Sequence, residues 1–254
     1  MNGTGPQPNS ASFLGLRFDL LDAQQALAEV RSLAGGGRFA YVVTPNVDHM
    51  VRLHHQSDNE RLWTAYENAA LRLCDSRILK ALASLSGLKL GLVTGSDLTA
   101  QLLGLPGALG GAAVIGGDAA LLQDLRSLYP TVTWHWHAPP QGVLGDAAAQ
   151  QDIVEFVEGC PAGVYFFAIG SPQSEVVCAM VAERHKARGV GLCIGASLEF
   201  LTGAKSRAPR WMQRTGTEWL YRLASEPARL WRRYLVEGPQ IFLIWWRWRL
   251  NSPR

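Results

Sequence analysis

The sequence predicts an α/β protein: one open, doubly wound, mostly parallel sheet of Rossmann type, followed by a helical appendage at the C-terminal end. Three observations predict it. Short apolar runs recur through the first 204 residues, each leading into a turn-rich stretch and then a helical pattern, which is the rhythm of strand, crossover helix and parallel strand. The runs are continuously apolar and do not alternate, as expected for strands covered on both faces. From Lys205 onward the chain changes character, to Arg, Trp and Leu at helical spacing. A length of 254 residues suits one such domain with a short addition.

Each element can be justified in turn. Residues 1–12, MNGTGPQPNSAS, have neither a basic start nor an apolar stretch, so they read as a disordered leader and not as a secretion signal. The α/β domain spans 13–204. Within it, FAYVV (39–43) runs into Thr44-Pro45-Asn46 and a helix starting near Val47. AAVI (112–115) meets Gly116-Gly117-Asp118 and the helix ALLQDLRSLY, and TWHWH (133–137) reads as a strand with His135 and His137 on one face. VYFFAI (164–169) meets Gly170-Ser171-Pro172 before a helix through Lys186, and VGLCI (190–194) meets Gly195 before SLEFLTG.

The appendage, 205–254, reads as amphipathic helices. Pro209 and Pro227 suit helix first turns, and Ser225 suits a cap before the second of them. The terminal IFLIWWRWRL is too short to cross a bilayer and suits its interface.

Charge divides the chain in the same place. Residues 1–204 hold 13 Lys/Arg against 18 Asp/Glu, net −5, whereas 205–254 hold 11 against 3, net +8, with six of the nine tryptophans. Arg with Trp is the pairing expected against an anionic membrane surface; a nucleic-acid contact is the less favoured reading, and no nucleic-acid partner is expected. Hydrophobic residues make up 48% and charged residues 18%, which excludes widespread disorder. Cys74, Cys160, Cys178 and Cys193 have no CxxC spacing and lie in apolar runs, as expected of reduced, buried thiols in a cytoplasmic protein.

In an open parallel sheet the loops after the strands form the ligand crevice, because helix N-termini and free amides converge there. Thr44, Asn46, Ser171, Gln173, Ser174 and Glu175 all fall in such loops. Asp75, in LRLCDSRIL, is a candidate general base, with a helix cap or a pair with Arg77 as the alternative. Asp97 and Asp118 read as N-terminal helix residues. His135 and His137 lack a third metal ligand in the sequence, so packing is favoured and no metal is expected. Arg222, Arg229 and Arg232, spaced by seven and three, share a helical face that can clamp a diphosphate if Pro227 does not break it, or that is merely a solvated basic face.

Taken together, VVTPNVDHMV, the Asp75 segment, VTGSDL, the GGD turn, IGSPQSE and above all FLTGAKSRAPRWMQRTGTEWLYRLASEPARLWRRYL resemble the WecG/TagA/CpsF family, glycosyltransferase family 26, over roughly residues 13–235. The resemblance implies an inverting, metal-independent enzyme without a cofactor, which passes a sugar from a nucleotide sugar donor to a polyprenyl-diphosphate-linked sugar acceptor at the inner face of the plasma membrane. It implies Asp75 as catalytic base, Thr44 and Asn46 in the active site, and Arg222, Arg229 and Arg232 on a membrane-docking appendage. The chain lacks a DxD pair for a divalent ion, so arginines are the expected substitute at the leaving group.

Some positions depart from the family pattern. The usual DGxG reads Asp75-Ser76-Arg77-Ile78, a usual Arg is Leu92, and the usual PKQE reads Pro172-Gln173-Ser174-Glu175. These differences place the chain nearer the exopolysaccharide, GumM-like branch, with a UDP-hexose donor, than the N-acetylmannosaminyl branch. A non-catalytic nucleotide-sugar-binding scaffold is the alternative from another class. The sequence leaves the oligomeric state open, a homo-oligomer included.

Overall fold

The structure is a computed structural model, and it describes residues 10–55, 60–105 and 111–251. Strands β1 (Ser10–Phe13) and β2 (Leu16–Asp19) form an antiparallel hairpin. Helix α1 (Ala23–Ala34), capped by Asp22, leads to β3 (Ala40–Val43), α2 (Val47–His55), α3 (Glu60–Glu67) and the short β4 (Leu71–Arg72). Then come α4 (Arg77–Leu85), α5 (Gly95–Leu103), β5 (Gly111–Ile115), α6 (Ala119–Leu128) and β6 (Thr133–His137). Helix α7 (Ala147–Gly159), β7 (Val164–Phe167), α8 (Gln173–Arg184), β8 (Val190–Cys193) and α9 (Ser197–Thr202) complete the domain.

The main sheet has six strands in the order β4-β3-β8-β7-β5-β6, every pair parallel. The expected class is therefore what the chain adopts. Two apolar layers cover the two faces. One is built on α2, α3, α4, α7 and α8 with Tyr41, Val43, Tyr165 and Phe167 of the sheet; the other is built on α1, α5, α6 and α9 with Val42, Val114, Phe166 and Leu192. Successive residues of each strand thus point into opposite cores, which explains the unbroken apolar runs. Gly191 is required by this packing, since a Cβ there would lie 2.7 Å from the Phe39 ring and 3.1 Å from Cys178 Sγ.

The hairpin corrects one expectation. Ser10, Ala11 and Ser12, read as the end of a leader, pair with Asp19, Phe18 and Arg17; residues 1–9 lie outside the described residues. The pairing holds because Leu14 and Gly15 both take positive φ to make the turn, and Phe13 and Phe18 are then fully buried. Burying two phenylalanines contributes about 1.5–3 kcal/mol each.

The appendage comprises α10 (Arg210–Thr215), α11 (Glu218–Ser225), α12 (Pro227–Trp231), a π-helical turn (Arg232–Glu237) and α13 (Gln240–Asn251). Pro209 occupies the position before α10 and Pro227 starts α12. Ser225 does not cap α12: its hydroxyl donates to the Tyr221 carbonyl and closes α11, and Glu226 holds the cap position. Helix α13 is docked and not free. Ile241 is buried, Trp245 donates to Ser86 Oγ at 2.8 Å, Arg249 donates to the Leu85 carbonyl at 2.7 Å, and Trp248 meets Phe13 edge-on at 5.3 Å. Among the described residues no helix is long and apolar enough to cross a membrane.

Candidate active site

Four adjacent strands, β4, β3, β8 and β7, send their following loops to one edge of the sheet, and the functional residues collect there. Thr44, just past β3, is buried and donates to the Cys193 carbonyl at 3.2 Å, tying the β3 and β8 exits together. Asn46 accepts at Oδ1 from the amides of Asp48 (3.0 Å) and His49 (3.3 Å), capping α2 and leaving its NH2 for a ligand. After β7, Ser174 donates to the Gly170 carbonyl at 3.0 Å, and Glu175 Oε1 accepts from the Tyr66 hydroxyl at 3.2 Å. Burial pushes the Glu175 carboxyl up to about 7 and holds the His49 imidazole neutral, its pKa pulled down to about 3.

Asp75 lies beyond β4. The following Ser76 caps α4 by accepting from the Leu79 amide at 3.2 Å, so Asp75 itself is free of that duty. Its Oδ2 accepts from the Gly95 amide, at the start of α5, at 3.3 Å. No ion pair with Arg77 forms. Desolvation pushes the Asp75 carboxyl up to about 7; the Gly95 hydrogen bond and Arg222 oppose this, while Glu218 and Asp97 add to it. That is the range a general base needs at physiological pH.

Two cavities meet at Asp75. The first, about 430 Å³, is polar and is lined by Thr44, Asn46, Ser171, Ser174, Glu175, Arg222 and Arg229 among others. The second, about 730 Å³, is mixed: an apolar side from Val47, Ile78, Leu92, Trp219, Leu235, Ile241 and Phe242 stands beside Arg77, Asp97, Arg207 and Glu218. Asn46, Asp48, Asp75, Ser96, Arg222, Arg233 and Tyr234 border both. The roof of each is the appendage.

The structure brings together Asp75, Thr44, Asn46, Ser174, Glu175, Arg222 and Arg229. Gln173 does not line either cavity; its side chain donates to the Ile169 carbonyl at 2.8 Å and shapes the loop. Arg232 is exposed and lines neither cavity, whereas its neighbour Arg233 lines both. The helix breaks at Glu226 (φ −136°, ψ 61°), which sets α12 anew relative to Arg222; beyond it Trp231 and Arg232 keep helical dihedrals, so Arg229 and Arg233, four residues apart, share a face. Spacings of three and four residues both fit one helical face, so the sequence does not choose between Arg232 and Arg233. Asp97 and Asp118 are first-turn and capping residues, as expected: Asp97 also pairs with Arg207 at 2.8 Å, and Asp118 accepts from the Leu121 amide at 2.8 Å. His137 stacks on Phe156 at 5.2 Å, a packing role.

A parallel α/β sheet whose carboxyl edge gathers a desolvated carboxyl, polar side chains and arginines where two cavities meet is the build of an enzyme-type ligand crevice. The chain belongs to the glycosyl transferase WecG/TagA/CpsF family, whose model matches residues 11–254. It is accordingly a glycosyltransferase of cell-surface polysaccharide synthesis, working on a nucleotide-sugar donor and a sugar acceptor.

Proposed function

We propose that this enzyme moves a hexose from a UDP-sugar to a polyprenyl-diphosphate-linked sugar, with inversion, in exopolysaccharide assembly. The observation that carries the reading is the position of Asp75, on the shared wall of a polar cavity and a larger one with an apolar side. The polar cavity suits a nucleotide sugar; the apolar side of the larger one suits the first isoprene units of a lipid carrier. Asp75 takes the proton of the acceptor hydroxyl as that oxygen attacks the anomeric carbon. The bond from that carbon to the diphosphate oxygen breaks, and its electron pair leaves with UDP. A single in-line displacement inverts the centre.

The remaining residues hold the substrates. Thr44 and the Asn46 amide orient the donor sugar, Ser174 and Glu175 line its cavity, and Gln173 shapes the loop beneath it. Arg222 and Arg229, which line the polar cavity, neutralise the charge that develops on the departing diphosphate. Arg222 also lies over the Phe200 ring, 4.9 Å from its centroid, which limits where its guanidinium can go.

The test is incubation of the full chain with radiolabelled UDP-sugars and a short-chain polyprenyl-diphosphate monosaccharide. Label should appear in the lipid fraction with UDP-glucose or another UDP-hexose. A chain that binds donor and transfers no sugar to any such acceptor is a scaffold, and the reading fails.

Membrane contact belongs to the same proposal. Trp231, Leu235, Val236, Phe242, Leu243, Trp246 and Leu250 are exposed on the appendage, alongside the exposed Arg232 and Arg247. Aromatic and aliphatic groups beside arginines suit the interface of an anionic bilayer. Co-sedimentation with phosphatidylglycerol vesicles should fall at least roughly 10-fold in Phe242→Ser/Trp246→Ser, given about 1.5–3 kcal/mol per buried aromatic. Undiminished binding by that variant removes this face from the membrane.

A further inference from the structure

We propose that Trp219 recognises the acceptor sugar, its indole ring covering the C–H face of a hexose and its N–H meeting one of the sugar hydroxyls. The inference rests on the transfer reaction just proposed, and it supplies a partner for the one part of the two substrates that has only Asp75 beside it.

Elsewhere in the chain indole N–H groups find partners. Those of Trp63, Trp134 and Trp136 donate to the carbonyls of Leu53, Tyr129 and Gly116 at 3.0, 3.3 and 3.0 Å, and that of Trp245 donates to Ser86 Oγ at 2.8 Å. A tryptophan that is largely covered ordinarily satisfies its polar end in this way. Trp219 is half-buried as well, yet its N–H has no partner among the described residues and keeps accessible surface. The ring itself is braced. The Tyr234 ring stands 6.1 Å away, tilted by 54°, so the indole has a neighbour to hold it before any ligand arrives.

Position gives the free N–H a purpose. Trp219 lines the larger cavity and not the polar one, while Tyr234 borders both. On helix α11 it lies between Glu218 and Arg222, and both of those groups face Asp75 closely enough to move its carboxyl pKa, in opposite senses. Trp219 thus stands at the base's end of that cavity, where the acceptor hydroxyl has to be if Asp75 is to take its proton.

Two occupants of that end differ in chemistry. An isoprene laid on Trp219 would shut its N–H away from water and offer no acceptor, and a buried donor without a partner is costly. A pyranose carries hydroxyls around its rim and C–H groups on its faces, so one ring can cover the indole and also accept from it. Asn46 and Ser96, neutral polar residues that border both cavities, are placed for further hydroxyls. The isoprene chain is left the rest of the apolar side, with Ile78, Leu235, Ile241 and Phe242.

Titration calorimetry of the full chain with farnesyl diphosphate, farnesyl-diphospho-glucose and farnesyl-diphospho-N-acetylglucosamine tests the assignment. Trp219→Leu keeps an apolar side chain and removes both ring and N–H. It is expected to weaken binding of at least one sugar-bearing probe by roughly 10-fold, an aromatic contact and a neutral hydrogen bond together, and to leave farnesyl diphosphate within about twofold. Trp219→Phe keeps a ring and loses the N–H, and is expected to lie between.

Equal losses for all three probes would show that Trp219 packs against isoprene, and would overturn the proposal. So would a loss confined to farnesyl diphosphate, unchanged affinity for every probe, or a wild-type chain that binds neither sugar-bearing form. Thermal melting reports whether Trp219→Leu is folded; if it is not, Trp219→Phe carries the test, and a loss below about twofold for both sugar-bearing probes there overturns the assignment. Calorimetry does not report transfer. Trp219-dependent binding of a lipid-linked sugar by a chain that transfers none sinks the proposed function and leaves this inference standing. In a chain that does transfer, an acceptor KM unmoved by Trp219→Leu sinks this inference and leaves the proposed function in place.

Discussion

Asp75→Asn is expected to lower sugar transfer by about three orders of magnitude while leaving the fold intact, because general-base contributions lie at roughly 10²–10⁴ and the other carboxyl that borders both cavities, Asp48, is held by Arg52 and Arg233, each at 3.1 Å. The carboxylate has one hydrogen bond, from the Gly95 amide, which the Asn side-chain oxygen can accept equally well. The substitution therefore removes the proton acceptor and little else. Rates of label transfer in wild type and variant, at saturating donor, are the measurement. Near-normal turnover in the variant would remove Asp75 from the chemistry.

The pH dependence of the same pair follows from the desolvated carboxyl. Only ionised Asp75 can take a proton, and burial pushes its pKa up to about 7. Transfer by the native enzyme should accordingly rise with pH through about 7. Stability moves in the opposite sense. The folded pKa lies above the unfolded one, so the native state is least penalised when Asp75 is protonated and loses stability as pH climbs from the ordinary carboxylate range towards 7. Asp75→Asn has no such loss, and its melting temperature should exceed wild type's at pH 8 and match it near pH 4. Glu175 is also pushed up to about 7, which Glu175→Gln separates: the alkaline rise in rate should persist in that variant and vanish only where Asp75 is changed.

How far all this can be read from the sequence depends on the range of the interactions involved. The parallel sheet is legible because two-sided burial writes itself locally, as unbroken runs such as VYFF and VGLC. The crevice residues are legible for a related reason: in such a sheet every loop after a strand goes to one edge, so Thr44, Asn46, Ser174 and Glu175 meet there without any contact being known. Local signals fail where a structural choice is made over distance. The two-residue β4 is too short to carry a pattern, and Ser10 to Ser12 look like the end of a leader until they are seen paired with β2. The arginines show the sharpest limit. Their number and segment can be read, but which of Arg232 and Arg233 faces the cleft is decided by the break at Glu226 and by Asp48, 185 residues earlier in the chain.

The same long-range character governs the largest expected loss of stability, in Asp19→Ala. Asp19 closes the hairpin and Arg72 is the last residue of β4; both side chains are 2% exposed. The Asp19 Oδ2 accepts from the Arg72 amide at 2.7 Å and faces its guanidinium at 3.4 Å, while that guanidinium also donates to the carbonyls of Glu67 and Ala69 at 2.8 and 2.6 Å. Burial pulls the Arg72 pKa down and Asp19 pulls it back up. Alanine at position 19 leaves a buried guanidinium without its counter-charge and a β4 amide without its acceptor. Breaking one side of such a pair costs about 3–5 kcal/mol, which for a chain of this size lowers the melting temperature by roughly 6–20 °C.

Asp19→Asn keeps a neutral acceptor for the amide and should lose less. Arg72 stands three residues before Asp75, and the Asp75 amide itself hangs on the Pro45 carbonyl at 3.0 Å. Loosening β4 therefore loosens the base, and transfer by Asp19→Ala should decline with temperature earlier than that of the native enzyme, in step with its unfolding. An unshifted melting curve for Asp19→Ala would mean that water enters to solvate Arg72, and that the pair does not anchor the hairpin to the sheet.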